Sequence, residues 1–408
     1  MRIVFFLEPV IFRATPSFLE AHFMWAQYVL DVCVKANWEF LLVANTPTCE
    51  KWLTKHPQTK VHFIDPFPVI EAFAFDRVSY AQTLYGDGVQ LEQNPLFLQL
   101  LIIREEYAPS LVMMTSQNAI ARRAFRGIPF LGVEQAPLPR LGHPARAFFD
   151  PCGHQVDSIL QKYSEKIRTL PLTKKTKQEV LCLREKLKRK ALVADVRSET
   201  ALRELEKIKR NSQVALLVLQ PTDWVTYEGA YRLIDLENLL YSWAKCLPEG
   251  WIGVPTFHPG HRMSEEMKHV ITASAPNIHF LPDELSIGLT ESLLLSADGM
   301  ITISSTSAMT GLLFQKRVVV LGKSPVGNWC ASEVSDISNF ELLSDDETAA
   351  SLCFLTNRIS LSHNSLDIDS KSLEIIMRRT AADGINSDDW FLDVSGWSSE
   401  SANTLFSL

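Results

Sequence analysis

The chain has 408 residues, 46% of them hydrophobic and 21% charged, with a net charge of −7. That length exceeds what one core ordinarily fills and predicts two domains, while the acidic balance excludes a general electrostatic attraction to nucleic acid or anionic lipid. The seven cysteines are odd in number, scattered and never spaced as CxxC, which argues against a disulfide framework or a zinc site and leaves packing as their role.

The opening stretch RIVFFL predicts a first strand. Glu8 and Pro9 interrupt its apolar run and no small-residue cleavage site follows, so it does not read as a signal peptide. No later stretch has the apolar length of a membrane span, and a cytoplasmic chain is expected. As far as Glu134, the β-rich runs WEFLLVA, KVHFID, SLVMMT and PFLGVE alternate with amphipathic stretches such as SFLEAHFMWAQYVLDVCVKA and PLFLQLLIIREEYA. Such alternation predicts βαβ units around a parallel sheet, assigned to a first domain over 1–155.

From Val156 to Arg210 the composition turns to Lys, Arg, Glu and Leu at helical spacing. It predicts a pair of solvated helices connecting two domains over 156–210, with a membrane surface or an acidic polymer against the KLKRK face as the alternative. The alternation then resumes. VALLVLQ, GWIGVPTFH, IHFLP, GMITIS and RVVVLG read as strands, and GAYRLIDLENLLYSWAKCL, SEEMKHVITASA, IGLTESLLLSA and TSAMTGLLFQ as helices, giving a second domain over 211–360. The remainder, 361–408, predicts one helix, KSLEIIMRR, and then irregular chain.

Two successive doubly wound α/β domains imply a cleft, and ligands of such sheets lie beyond the carboxyl ends of the strands. Glu134 ends one strand, before the proline-bearing QAPLPR; Asp150 and Gly153 follow in a turn. Gln220 and Asp223 open the first loop of the second domain. HPGHR supplies His258, His261 and Arg262, SSTS supplies Ser304, Ser305 and Thr306, and Lys323 follows RVVVLG. The hydroxyl run reads either as an ordinary helix cap or as an anion site on a helix start. With His258, Arg262 and Lys323 it makes a half suited to phosphate and a sugar carboxylate. Glu134 and Asp223 make a reacting half, a carboxylate pair able to act as proton carrier and nucleophile at an anomeric carbon. Asp235 competes with Asp223 but reads as a solvated residue inside a helix. No G-x-G-x-x-G, Walker A loop or DxD-like run is present, so nicotinamide and ATP chemistry are not expected and metal is not required.

The HP pair of TFHPGHR and the serine pair of ITISSTSAMTGLLFQKRVVVLGKSP resemble the HP and SS motifs of bacterial CMP-sugar glycosyltransferases of the GT-B fold, which include sialyltransferases and Kdo transferases. VEQAPLPR, FFDPCG and LQPTDW look closer to the capsule and O-antigen β-Kdo transferases, in particular the retaining β-Kdo transferase module of glycosyltransferase family 99. The resemblance runs in motif order from Glu134 to about Pro325. EQAP stands where the sialyltransferases carry an acidic motif ending in Gly, which lowers the sialic-acid reading.

The resemblance implies an α/β GT-B protein with two Rossmann-like domains facing across a cleft. It implies transfer of Kdo, an acidic ketosugar, from CMP-β-Kdo to an oligosaccharide or polysaccharide acceptor with retention and without a cofactor. His258 would contact the cytidine nucleotide, Ser304 and Ser305 its phosphate, and Lys323 would help hold the donor. Pro259, Thr306, Gln220 and Arg262 complete the expected donor set. Asp223 takes the nucleophile's position and Glu134 that of the general acid/base. The expected partners are thus a CMP-sugar and a glycan but no nucleic acid, with peripheral association at the inner face of the inner membrane or with other assembly enzymes left open. A sialyltransferase-like enzyme, a sugar-nucleotide epimerase and a non-catalytic glycan-binding scaffold are the alternatives.

Overall fold

The computed structural model describes residues 1–10, 16–86, 91–221, 225–231, 235–260, 262–363, 370–383 and 389–408. Among them the strands are, in chain order, β1 (Arg2–Phe6), β2 (Glu39–Asn45), β3 (Lys60–Ile64), β4 (Leu111–Met114), β5 (Phe130–Gln135), β6 (Arg146–Asp150), β7 (Gln213–Leu219), β8 (Trp251–Phe257), β9 (Gly299–Thr302), β10 (Arg317–Val320) and β11 (Ser360–Ser362). They divide between two compact units. The first comprises Met1–Gln135, Arg146–Lys162 and Arg358–Phe391; the second comprises Ala136–Ala145, Tyr163–Asn357 and Leu392–Leu408.

In the first unit the sheet order is β11-β6-β5-β4-β1-β2-β3. The five strands foreseen from the alternation are all present and pair in parallel. Ile3–Phe6 and Leu111–Met114 are buried throughout, as strands covered on both faces must be. The chain leaves β1 for β2 on one side and later returns to β4 on the other, so the topology switches between β1 and β4. Sequence reading missed β6 and β11, which close one edge antiparallel. RAFFD is a short run directly after a proline- and glycine-bearing loop, and SLS has no apolar pattern of its own.

Gly132 of β5 shows how a local choice shapes this unit. A Cβ there would lie 1.8 Å from the carbonyl oxygen of Gly153, so only glycine lets the segment after β6 cross the sheet at that point. Glu134, two residues on and therefore on the same face, meets the residues that this crossing brings in.

The second unit carries a four-stranded, wholly parallel sheet in the order β10-β9-β7-β8. Leu217, Leu219, Phe257, Ile301 and Ile303 form its core with Tyr227 and Trp243. IHFLP, expected as a strand, makes only an isolated bridge, Gly253 to Ile278. Pro282, at its end, N-caps the short helix Asp283–Ser286. The expected helix from GAYRL to KCL is two helices, Val225–Ala230 and Leu236–Cys246. Asp235 is not a helix-interior residue: its carboxylate caps the second helix, accepting from Asn238 N at 2.9 Å.

The charged segment does form a helix pair, Lys174–Val193 and Ser198–Lys209. It is not a purely solvated connector, however. Val180, Leu183, Leu187, Ala191, Ala201 and Leu205 are buried in the second unit, and each buried Leu contributes about 2 kcal/mol to holding the pair in place. Ser198 Oγ meets Ser292 Oγ at 2.9 Å where the helices touch Thr290–Leu293. The tail holds more regular structure than expected, with Lys371–Asp383 followed by the helices Asp389–Leu392 and Ser399–Phe406. Among the described residues no helix is long and apolar enough to cross a membrane.

Candidate functional site

The second unit has the topology that places ligands at one edge of a sheet. Its first strand, β7, lies between β8 and β9, the next two strands in sequence, so the chain reverses direction across the sheet between β7 and β9. At such a reversal the connections leave on opposite faces of the sheet, and ligands of doubly wound sheets bind beyond the carboxyl ends there. Val218 pairs with Thr302, Val320 with the same Thr302, and Leu219 with Phe257. Continued past the last paired residues, this register aligns Gly322, Ser304, Gln220 and His258 in one row, with Ser305 and Lys323 one step further. At the usual spacing of ~4.8 Å between strands the row is roughly 14 Å long.

Hydrogen bonds fix this row. Gln220 Oε1 accepts from Ser304 N at 3.0 Å and from Thr302 Oγ1 at 3.4 Å, tying the ends of β7 and β9 together. Gly322 N donates to Ile303 O at 2.8 Å, and Lys323 N to Ala230 O at 3.0 Å. A Cβ on Gly322 would lie 2.9 Å from Ala230 O and 3.0 Å from Ile303 O, so this close approach needs a glycine before Lys323. His258 Nδ1 accepts from Gly260 N at 3.1 Å, which leaves the ring proton on Nε2 as a donor. Pro259 and Arg262 are exposed beside it.

The serine turn satisfies the capping reading in part. Ser305 Oγ accepts from Ser307 N at 3.2 Å and meets Ser307 Oγ at 2.7 Å. Thr306 stands at the cap position, but its side chain caps nothing. Among the described residues the backbone N–H groups of Ser305 and Thr306 meet no hydrogen-bond acceptor. The helix they precede, Ser307–Leu313, has only seven residues.

Sequence reasoning missed two side chains here. The proline-bearing segment Ala136–Ala145 belongs to the second unit. In it Arg140 donates from its guanidinium to Thr306 Oγ1 at 2.6 Å, while the N–H groups of Arg140 and Leu141 bind the carboxylate of Glu291 at 2.7 to 2.9 Å. A cation thus stands against the serine turn. The proline-rich approach was visible, but not the element that would receive it.

Glu134 lies in the first unit, at the carboxyl end of β5, with its side chain 29% exposed. His154 Nε2 stands 3.4 Å from Oε2, an ion-pair separation whose angle falls short of a hydrogen bond. Gln155 Nε2 donates to Oε1 at 3.5 Å. Both neighbours are buried, and Gln155 adopts φ 45°, a left-handed conformation costing a non-glycine residue about 1 kcal/mol. Burial pushes the His154 pKa down against the opposing pull of Glu134 and Asp157; burial also takes His22, beside it, to about 3. Burial and then the charge of Glu134 raise the Tyr85 phenol.

Asp150, flagged in the same stretch, is a structural hub. It is buried and accepts from Cys152 N, Ile159 N and Ser158 Oγ at 2.5 to 3.0 Å, and burial raises its pKa to about 6. Asp223 and His261 lie outside the described residues. Among the described residues no group of three or more His, Cys, Asp and Glu side chains converges as a metal site would. A groove of about 400 Å³ between Val34, Trp38, His56 and Lys60 lies at the opposite, amino ends of β2 and β3.

No protein-family model matches the chain, and no curated protein does. Solved structures similar to it include the β-Kdo 2,7 transferase of Thermosulfurimonas dismutans KpsC, at 11% identity, covering 84% of this chain and 99% of that one with a TM-score of 0.45. The β-Kdo 2,4 transferase of the same KpsC is 16% identical over 72% of this chain and 96% of that one, with a TM-score of 0.38. A UDP-GlcNAc 2-epimerase from Neisseria meningitidis, bound to UDP-GlcNAc, is 13% identical over 95% and 97%, with a TM-score of 0.27.

Proposed function

We propose that the chain is a GT-B glycosyltransferase that moves Kdo from CMP-β-Kdo to a glycan hydroxyl with retention of configuration. The observation that supports this reading most is the row of Lys323, Ser304, Ser305, Gln220 and His258 at the switch point of one parallel sheet. Such a row offers N–H and O–H donors, an imidazole and a cation to one elongated anionic ligand. In this reading His258 Nε2–H meets the cytidine nucleotide, with Pro259 and Arg262 at its rim. Ser304, Ser305 and Thr306 hold the phosphate, Lys323 neutralises it, and Gln220 keeps the serine turn in place.

The chemistry follows from charge. Asp223 attacks the anomeric carbon, and the bond from that carbon to the phosphate oxygen breaks, with its electron pair leaving on CMP. The leaving group is an anion already, so it needs charge stabilisation more than a proton, and the cationic side of the row supplies that. The acceptor hydroxyl then gives its proton to Glu134 and displaces Asp223 from the glycosyl ester. Two inversions leave the configuration retained.

The test is incubation of the whole chain with CMP-Kdo generated in situ and a panel of oligosaccharides. Release of CMP with formation of a Kdo-bearing product is expected, and Asp223→Ala and Glu134→Ala should each lower turnover at least 10³-fold without loss of folding, in the range of single catalytic groups. No release of CMP from the donor with any acceptor, or conversion of a UDP-sugar without an acceptor, would remove the reading; the second result would point to an epimerase.

A further inference from the structure

We infer that His154, together with Gln155, is the positioning residue of Glu134, holding its carboxylate in one rotamer and serving as proton-adaptable partner to both of its charge states. Each carboxylate oxygen has its own neighbour, His154 Nε2 at 3.4 Å from Oε2 and Gln155 Nε2 at 3.5 Å from Oε1. Among the described residues neither ring nitrogen of His154 has a hydrogen-bond partner, although the side chain is only 4% exposed. Burying an imidazole without a protein partner is unfavourable, and the left-handed turn at Gln155 adds to that cost. An apolar side chain would fill the same space more cheaply, so packing does not explain the imidazole.

Its chemistry does. A neutral imidazole presents an N–H donor in one tautomer and a bare nitrogen in the other. Toward an ionised Glu134, Nε2 carries the proton and donates; toward a protonated Glu134, Nε2 is bare and accepts. Burial favours the neutral ring, against the opposing pull of Glu134 and Asp157. Among the described residues the other groups facing this cluster are His22, whose pKa burial lowers to about 3, and the Tyr85 phenol, while Arg122 and Lys162 are engaged by Asp157 at 3.0 and 3.1 Å. Loose spacing in the resting state is what a pair that tightens on proton movement shows.

The role matters for turnover only if Glu134 is the acid/base of the reading above, but the coupling itself is measurable without substrate. The whole chain labelled at histidine ring carbon and nitrogen is titrated by NMR, with the His154 signal identified by its loss in His154→Gln. In Glu134→Ala, the His154 pKa is expected to fall by roughly one unit, the effect of removing a nearby opposite charge. If the ring stays neutral over the whole range in both chains, the nitrogen shifts decide: an Nε2–H tautomer in the wild type that is lost in Glu134→Ala supports the pairing. An unchanged pKa, or an unchanged tautomer, overturns it. Coupled residues in a chain with no transferase activity would count against the transferase alone. Uncoupled residues in an active transferase would count against this pairing alone. In an active enzyme His154→Gln should also move one limb of the pH profile of kcat/KM while leaving CMP affinity within twofold; a uniform loss at every pH would mark a structural residue.

Discussion

Asp150 and Glu134 are carboxylates on neighbouring strands, two register positions apart, and they differ by what surrounds them. Asp150 is buried under three donors and serves its loop, whereas Glu134 keeps one side open and an imidazole on the other. Burial raises the Asp150 pKa from 3.8 to about 6, so the folded chain binds its proton more tightly than the unfolded one. The stability this gives is fully present below pH 4 and is lost as the pH climbs through 6, on the order of 3 kcal/mol in all. Asp150→Asn keeps an acceptor without the charge. Urea unfolding at pH 4 and pH 7 should therefore show the variant gaining on the wild type as pH rises; a constant difference would refute the assignment. At this scale the sequence revealed side chains that end strands, among them Gln220, His258, Ser304 and Lys323, because a buried run followed by a polar residue marks a strand end. It did not reveal Arg140, His154 or Gln155. They sit on segments whose landing place is set by tertiary contacts, and in the stretch after FFD only Asp150 and Gly153 stood out from the sequence.

Elements were legible where burial imposes a period. Nine strands were foreseen because parallel strands covered on both faces are written as continuous apolar runs. IHFLP satisfied the same pattern, yet it forms a single bridge, Gly253 to Ile278; two residues along β8 stands Pro255, which has no N–H to extend a ladder. The antiparallel pair β6 and β11 carried too little pattern to be seen. Glycines decide two of the junctions. At Gly132 a methyl group would meet backbone at 1.8 Å, with no flexible side chain to yield. Gly132→Ala should displace the segment that carries His154 and Gln155, lowering stability by about 2 kcal/mol or more. It should also erase the coupling of His154 to Glu134. Thermal melts and the imidazole titration measure both, and an unchanged melting temperature would show that the crossing does not need glycine.

At the scale of the whole molecule, length and alternation were enough to foresee an α/β chain with two Rossmann-like units, each around its own sheet, the first mainly and the second wholly parallel. What they could not show was the path of the chain between units. Ala136–Ala145 leaves the first unit to place Arg140 on the serine turn of the second, and Arg358–Phe391 returns to the first unit and carries β11. Such excursions depend on long-range packing and leave no local period. The charged helices illustrate the same limit: their outward faces read as a solvated connector, while the buried stripe that joins them to the second unit is confined to a few aliphatic positions.

Everything proposed about transfer requires that the second unit bind a cytidine nucleotide at its strand ends, and calorimetric titration of the whole chain with CMP, with UDP as the control, measures this directly. CMP should bind more tightly than UDP, and His258→Ala should weaken it about tenfold, corresponding to about 1.4 kcal/mol for a lost donor. Binding of UDP in preference to CMP, or CMP affinity untouched by His258→Ala, would contradict it.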